Sequence, residues 1–342
     1  MRHSPNAKVL LRALPVIAGG LLLALPLAAA PAHSPDLYVS RFFENDVQRV
    51  FGPQSASPGA AHPSPGASGA QYSTTGVARR PWGIAFGPDG RLYVANQQGG
   101  DGAIMRLQGP FAFDAGAPAP APGQPADVFV PTGNFYTLAF GLDQNLYAGY
   151  GGPVQRFDVA TGAPMGDFTH GRTPFSVEGI AFGPDQNLYV ASFNSCAPGP
   201  NCTGTTGEIL RFDGKTGAFI DVFVANASGG LQHPGGIGFG TGGDLFVCNE
   251  FVDNGLTGEV LRFHGPLNAT PGAPFPAAGQ AGAHFAGSPG VTPLQLAFGP
   301  DRTLYVTYDA GVIAYNGRNG VEQRHFAAVT DARGIAFYNG SR

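Results

Sequence analysis

The chain repeats one pattern of apolar and polar positions: two short apolar runs joined by a turn. The stretch "GIAFGPDGRLYVAN" at residues 83–96 places such runs on either side of Gly-Pro-Asp-Gly. Proline presets φ in this turn and glycine accepts positive φ, so the stretch predicts a β-hairpin. Near-copies begin at residues 137, 179, 236 and 295, which makes five complete hairpins.

Each hairpin is followed by two more strand-like runs, such as "EILRF" and "IDVFV" after the copy that begins at residue 179. The inner runs are apolar on successive residues, so both faces of each sheet must be covered. Sheets arranged around an axis achieve this and leave few open edges. The pattern therefore predicts an all-β, six-bladed β-propeller whose blades are four-stranded antiparallel meanders.

The sixth copy is divided between the two ends of the chain. "GIAF" at residues 334–337 is a front half, and "DLYVSR" at residues 36–41 is a back half. We expect the C-terminal strand to pair with the N-terminal strands in one blade and so close the ring. A solenoid of stacked hairpins is the structural alternative, but it would need capping repeats at both ends.

The first 32 residues have the layout of a secretory signal peptide. Arg2, Lys8 and Arg12 precede and enter an apolar stretch, and small residues follow up to Ala32. We expect cleavage before His33, which leaves residues 33–342 as the propeller. An uncleaved membrane anchor is the alternative, because the apolar stretch approaches the length of a span.

Composition agrees with a β-rich, exported chain. There are 53 Gly and 31 Pro residues, and 12% of the residues are charged. Without the three basic residues of the signal peptide, the formal net charge of −4 becomes about −7. Such a surface disfavours nucleic acid and anionic membranes, so after cleavage we expect a monomer with neither partner, located outside the cell or in the periplasm.

Three cysteines bear on this location, because export permits disulfides. Cys196 and Cys202 bracket the polar loop "CAPGPNC", where a bridge would close a short ring. A metal pair is the alternative, but other Cys or His ligands are lacking nearby. Cys248 lies in an apolar strand and is expected to be a buried free thiol.

Three blades carry long Ala/Pro/Gly segments, which follow Val50, Gln108 and His264. Their composition indicates solvated loops of polyproline or coil character.

The motif "PWGIAFGPDGRLYV" resembles the signature of NHL-repeat propellers and of the related SMP-30/gluconolactonase-like propellers. The resemblance extends over nearly the whole of residues 33–342. It implies the fold more strongly than an activity, because such propellers include non-catalytic binding platforms, metal-dependent lactonases and zinc-dependent lyases.

If the chain is a lactonase of this type, the resemblance implies one divalent cation, Ca²⁺, Zn²⁺ or Mn²⁺, at the mouth of the central channel. Glu178, Asn96 and Asn249 have suitable oxygens at matching positions, and Glu250 is a possible fourth ligand or base. The alternative is that Glu178 forms an ion pair with Arg333 or Arg41 across the mouth.

Aromatic and basic residues predict a different site at the same place, a pocket for a flat or anionic small molecule or a peptide end. The candidate ligand-binding residues are Trp82, Tyr136, Tyr150, His233, Tyr308, Arg333 and Arg41. Alternatively, these side chains only plug the channel.

These observations favour an exported module that binds a small molecule or a protein at the channel mouth. A metal-dependent lactonase or related hydrolase is the alternative, so whether the chain is an enzyme stays open. A purely structural envelope protein is a third hypothesis.

Overall fold

The structure is a computed structural model that describes residues 35–73, 79–97, 103–194, 206–252 and 256–338. The predicted signal peptide, residues 1–32, and the predicted disulfide between Cys196 and Cys202 lie outside the described residues. Both stay predictions. Cys248 is described, and it is a buried free thiol as expected. No helix in the described ranges has the length and hydrophobicity of a membrane span.

Antiparallel strands arranged in six sheets form nearly all of the regular structure. Blade 1 contains β1 (Leu37–Arg41), β2 (Asp46–Val50) and β23 (Ala332–Phe337). Blade 2 contains β3 (Pro81–Phe86), β4 (Leu92–Asn96), β5 (Ile104–Leu107) and β6 (Val128–Val130). Blade 3 contains β7 (Thr137–Phe140), β8 (Leu146–Gly149), β9 (Gln155–Phe157) and β10 (Pro164–Asp167).

The other three blades follow the same order from the channel outward. Blade 4 contains β11 (Ser176–Phe182), β12 (Leu188–Asn194), β13 (Thr206–Phe212) and β14 (Phe219–Val224). Blade 5 contains β15 (Pro234–Phe239), β16 (Leu245–Val252), β17 (Leu256–Phe263) and β18 (His284–Ala286). Blade 6 contains β19 (Leu296–Phe298), β20 (Leu304–Tyr308), β21 (Gly311–Tyr315) and β22 (Glu322–Ala327). A short 3₁₀ turn, Ser228–Gly230, precedes β15.

Blade 1 joins the two ends of the described chain as the divided sixth copy predicts. Strand β23 pairs antiparallel with β1, with Val39 opposite Ile335 and Leu37 opposite Phe337. The fold prediction is confirmed with one difference. Blade 1 has three strands in the described residues, and isolated bridges from β2 to Gln71 and Ala61 stand in place of the fourth.

The inner strands contact one another in a closed ring, β3 to β7, β11, β15, β19, β23 and back to β3. Glycine permits this approach at most of the contacts. A Cβ on Gly83, Gly179 or Gly334 would collide with a backbone oxygen of the next inner strand. The first residue of the "GIAF" motif is therefore a packing requirement of the ring.

The aromatic residues of the motif fasten each blade to the next. The second-strand aromatic ring of each blade meets the inner-strand phenylalanine of the following blade edge-on, with centroids 4.8–5.1 Å apart. The six pairs are Tyr38–Phe86, Tyr93–Phe140, Tyr147–Phe182, Tyr189–Phe239, Phe246–Phe298 and Tyr305–Phe337. Such pairs are stabilising beyond the area they bury. The core therefore lies between the sheets.

The aspartate of the repeated turn accepts a hydrogen bond from the tyrosine hydroxyl of the second strand, which accounts for its recurrence in the motif. Tyr189 donates to Asp185 over 2.9 Å, and the carboxylate also accepts the backbone N–H of Asn187. The same arrangement occurs in blades 2, 3 and 6. In blade 5, Gly242 replaces the aspartate and Phe246 replaces the tyrosine, so donor and acceptor are absent together.

Two of the long Ala/Pro/Gly segments are hydrogen-bonded to their blades, a contact that their composition did not predict. The buried Arg106 guanidinium donates to the oxygens of Ala119 and Pro120 over 2.6 and 2.7 Å. Arg262 does the same with Phe275 and Pro276. These charge-assisted bonds fix both loops to the outer edges of their blades.

We expect Gly334→Ala to lower the free energy of unfolding by about 1–3 kcal/mol, because the added Cβ would displace Trp82 from the closing contact. Urea unfolding measures the change. Gly151→Ala is the matched control, since a Cβ there meets no atom within 4 Å, and it should change stability by less than about 0.5 kcal/mol. Equal effects of the two substitutions would contradict the role assigned to the close approach.

Candidate functional site

A recurrent β-bulge directs one inner-strand residue of several blades toward the channel mouth. In blade 4, Val177 pairs with Ser192 and Gly179 with Ala191, which leaves Glu178 as the extra residue. Blades 1, 2 and 5 shift register at the same place. A bulge bends the strand and re-aims a side chain. The residues beside the ring glycines at these bulges are Arg333, Trp82, Glu178 and Gly235.

Aromatic rings form one side of the mouth. Trp82 lies with its ring centroid 5.0 Å from that of Tyr136, and Tyr136 lies 4.7 Å from Tyr150. Phe42 meets Trp82 edge-on at 5.4 Å. Tyr150 remains 39% exposed, and Trp82 and Tyr136 are half-buried. The structure thus brings three of the predicted ligand-binding residues together, while their ligand-binding role stays a prediction.

The two predicted arginines already have carboxylate partners. Arg41 makes a bidentate pair with Asp46, with N–O distances of 2.7 and 2.6 Å. Arg333 donates to Asp309 over 2.6 Å, and its guanidinium lies 5.4 Å from the centroid of the Trp82 ring. An ion pair from Glu178 to either arginine is therefore not formed.

Two glutamates, Glu178 and Glu250, lie close together at the mouth. Glu250 packs over Gly235, where a Cβ would collide with its carboxyl group, and Gly235 in turn contacts Gly179. Burial, reinforced by the charge of Glu178, raises the pKa of Glu250 to about 8. Burial also raises the pKa of Glu178, whose Oε1 accepts a 2.5 Å hydrogen bond from the Ser176 hydroxyl.

His233 lies beside this pair in neutral form. Its ring stacks on Phe193 with centroids 3.5 Å apart, and burial lowers its pKa to about 4. Nε2 of His233 is 3.8 Å from the Glu250 carboxyl. Since the histidine is neutral and Glu250 holds a proton at neutral pH, this contact carries little charge.

Asn96 and Asn249 secure the loop that enters their own blade. Oδ1 of Asn249 accepts the backbone N–H groups of Gln232 and His233 over 3.0 and 2.9 Å, and Nδ2 donates to Gly230. Oδ1 of Asn96 accepts the N–H of Arg79. Both side chains are essentially inaccessible to solvent. Their oxygens satisfy backbone donors that would otherwise be buried without partners.

Tyr308 lies away from the aromatic group at the mouth. Its hydroxyl shares a 2.8 Å hydrogen bond with Nδ1 of His325, and its ring borders a small apolar cavity between blades 5 and 6. Val306 and Ile313 line the same cavity.

The sequence analysis missed Phe42, Gln97 and Phe193, which follow the predicted second-strand position by one residue. Gln97 donates to the Tyr136 hydroxyl over 2.8 Å. Side chains alternate between faces along a strand, so a shift of one residue reverses which side chains face the mouth. Alignment of the repeats alone does not show which of two successive residues directs its side chain toward the mouth.

The residues present do not fit the divalent-cation site that the family resemblance implies. A hard cation such as Ca²⁺ requires six to eight oxygen ligands, whereas Asn96 and Asn249 direct their oxygens to backbone N–H groups. Across the described ranges, no group of three or more His, Cys, Asp or Glu side chains is arranged to hold a metal. Glu178 and Glu250 are the two proposed ligands that remain at the mouth.

No protein-family model and no curated protein sequence matches the chain. It is similar in structure to a gluconolactonase from Xanthomonas campestris, at 15% identity and TM-score 0.52, over 89% of each chain. A second structure, a structural-genomics target assigned as a gluconolactonase, is 13% identical at TM-score 0.50, over 72% of this chain and 78% of that one. These likenesses show the fold alone, a six-bladed β-propeller.

We expect Asn249→Ala to lower the free energy of unfolding by about 3 kcal/mol, because two N–H groups and one carbonyl lose their buried partner. Chemical denaturation measures this loss with and without added Ca²⁺. The exposed Asn268→Ala is the control and should be nearly neutral. A stability change that appears only when Ca²⁺ is present would instead assign Asn249 to a metal.

Stability should also depend on pH through Glu250. Its pKa of about 8 in the folded protein exceeds the ordinary value of 4.5, so the folded protein holds this proton more tightly than the unfolded chain. The free energy of unfolding therefore falls as pH rises toward 8. The lowered pKa of His233 has the opposite effect, since it makes the free energy of unfolding rise with pH up to the ordinary histidine value of 6.5. The decrease in the free energy of unfolding due to Glu250 should therefore be visible from about pH 6.5 to 8.

Urea midpoints at pH 6.5 and pH 8 measure this dependence, and Glu250→Gln should flatten it. The exposed Asp167→Asn is the control. A slope unchanged by Glu250→Gln would show that another group titrates.

Proposed function

We propose that this chain is an exported β-propeller that binds a small molecule at the mouth of its central channel. One observation carries the proposal. Bulges in blades 2 and 4 direct Trp82 and Glu178 toward the mouth, beside the partly exposed Tyr136 and Tyr150 of the blade between them. An aromatic wall with a few convergent polar groups is the usual composition of a small-molecule site.

Several side chains at the mouth are not needed for the packing of one blade against the next. The repeated pairs between blades use the tyrosines and phenylalanines within the strands, whereas Trp82 is the chain's single tryptophan and has no counterpart at the same repeat position in the other blades. Glu178 is likewise specific to blade 4, because the equivalent residues at the other bulges are Trp82, Gly235 and Arg333. Blade-specific residues on a repeated scaffold support a binding role at this end of the channel.

The test uses Trp82 as the reporter, because it is the chain's single tryptophan. Purified protein is screened for thermal stabilisation against a panel of sugars, lactones, amino acids and amines, and each hit is then titrated by tryptophan fluorescence. We expect at least one compound to raise Tm and change Trp82 emission. Tyr136→Ala should remove both responses.

A hit that stabilises the protein without changing Trp82 emission, and that Tyr136→Ala leaves unaffected, would place binding elsewhere. If no small molecule stabilises the protein, a protein ligand at the same surface becomes the better hypothesis.

A metal-dependent lactonase is the second candidate function. The fold likeness to gluconolactonases and the two neighbouring carboxyl groups, Glu178 and Glu250, favour it, and the small number of available oxygens opposes it. Hydrolysis of a lactone panel with Ca²⁺, Zn²⁺ or Mn²⁺, abolished by Glu178→Gln, would establish it. No hydrolysis and no metal-dependent change in Tm would exclude it.

A further inference from the structure

We infer that the channel mouth selects an organic cation, a molecule with an ammonium group on an apolar body. The inference rests on the proposed function and names the ligand class for the same site. It combines three observations: a carboxyl group without a cationic partner, an aromatic wall beside it, and too few oxygens for an inorganic ion.

The carboxyl group is that of Glu178. Among the described residues, its bonded side-chain partner is the hydroxyl of Ser176, and no basic group contributes to its electrostatic environment. The two nearby predicted cations are engaged elsewhere, Arg41 by Asp46 and Arg333 by Asp309. A largely buried carboxylate without a partner is costly, so a positive charge brought by a ligand would be strongly favoured here.

The aromatic wall lies close to this carboxyl group. The backbone N–H of Val177, the residue before Glu178, donates to the carbonyl oxygen of Tyr150. Burial, with a smaller contribution from the charge of Glu178, raises the pKa of Tyr136 to about 12, so that phenol stays neutral. Trp82 and Tyr150 flank Tyr136 on either side. Aromatic faces attract cations, and this wall already does so where the Arg333 guanidinium lies 5.4 Å from the Trp82 ring centroid.

The charge of the site matches a monovalent ligand better than a divalent ion. Glu250 holds its proton at neutral pH because its pKa is about 8, which leaves one carboxylate charge on Glu178. The phenol of Tyr136 neighbours that charge, where a hard metal would need further oxygen ligands of its own. An ammonium group needs a single carboxylate and tolerates aromatic neighbours, and its apolar body can pack on the wall.

Three probes of nearly equal shape test the inference at pH 7: benzylamine, benzyl alcohol and benzoate. Each is titrated into the full protein while Trp82 emission is recorded. We expect the Kd of benzylamine to be at least about tenfold lower than that of benzyl alcohol, and benzoate to bind weakest. This order needs no variant, so it remains decisive even if a substitution impairs folding.

Glu178→Gln should raise the Kd of benzylamine to about that of benzyl alcohol and leave benzyl alcohol unchanged. Asp167→Asn, an exposed carboxylate on β10, is the matched control and should alter neither. Circular dichroism and Tm verify that both variants fold.

Equal binding of benzylamine and benzyl alcohol, tighter binding of benzoate, or no response to benzylamine would each overturn the inference. Stabilisation by Ca²⁺, Zn²⁺ or Mn²⁺ that Glu178→Gln abolishes, without amine binding, would overturn it in favour of a metal. In all these cases a neutral or anionic hit from the panel that Tyr136→Ala abolishes would leave the proposed function intact. Failure of the organic-cation inference can therefore be distinguished from failure of the proposed function.

Discussion

The structure depends on how closely six inner strands can approach around one axis. At Gly83, Gly179 and Gly334 the backbone of the next strand occupies the space that a Cβ would need. Thr137 fills the equivalent place in blade 3, where its hydroxyl accepts the N–H of Ile180 in the next inner strand. At these contacts the ring closes with either no side chain or one that hydrogen-bonds the next inner strand.

That constraint also creates the candidate site. A strand that must pass its neighbour at backbone distance bulges at the adjoining residue, and the bulge directs Trp82, Glu178 or Arg333 into the mouth. The scaffold is repeated, but the directed residue differs in each blade. One part of the mouth is therefore aromatic and the adjoining part acidic, an asymmetry that a uniform repeat could not produce.

Much of the polar chemistry in this molecule serves the scaffold. Asn96, Ser192 and Asn249 occupy equivalent positions of their second strands and accept backbone N–H groups of the entry loop. The buried arginines Arg106 and Arg262 hold the long loops. Amide and guanidinium groups near a channel can thus be structural, and the test is whether their hydrogen-bonding atoms are already used.

The sequence by itself determined the blade number, the closure between β1 and β23, and the residues of the repeated turn. The hairpins follow from local patterns, because continuous apolar runs and turn chemistry each act over a few residues. The closure follows from the complementary halves of the sixth copy at the two ends of the sequence. It also indicated that Trp82, Tyr136 and Glu178 belong to the mouth, since all precede an inner strand.

Only the tertiary structure decided which neighbouring residue faces the channel and which atoms remain available there. Gln97, one residue beyond β4, donates to the Tyr136 hydroxyl, while the amide of Asn96 is consumed within its own blade. Whether Arg333 meets Glu178 or Asp309 depends on blades far apart in the chain. Short-range pattern carries no information about such contacts, because their partners are set by the closing of the ring.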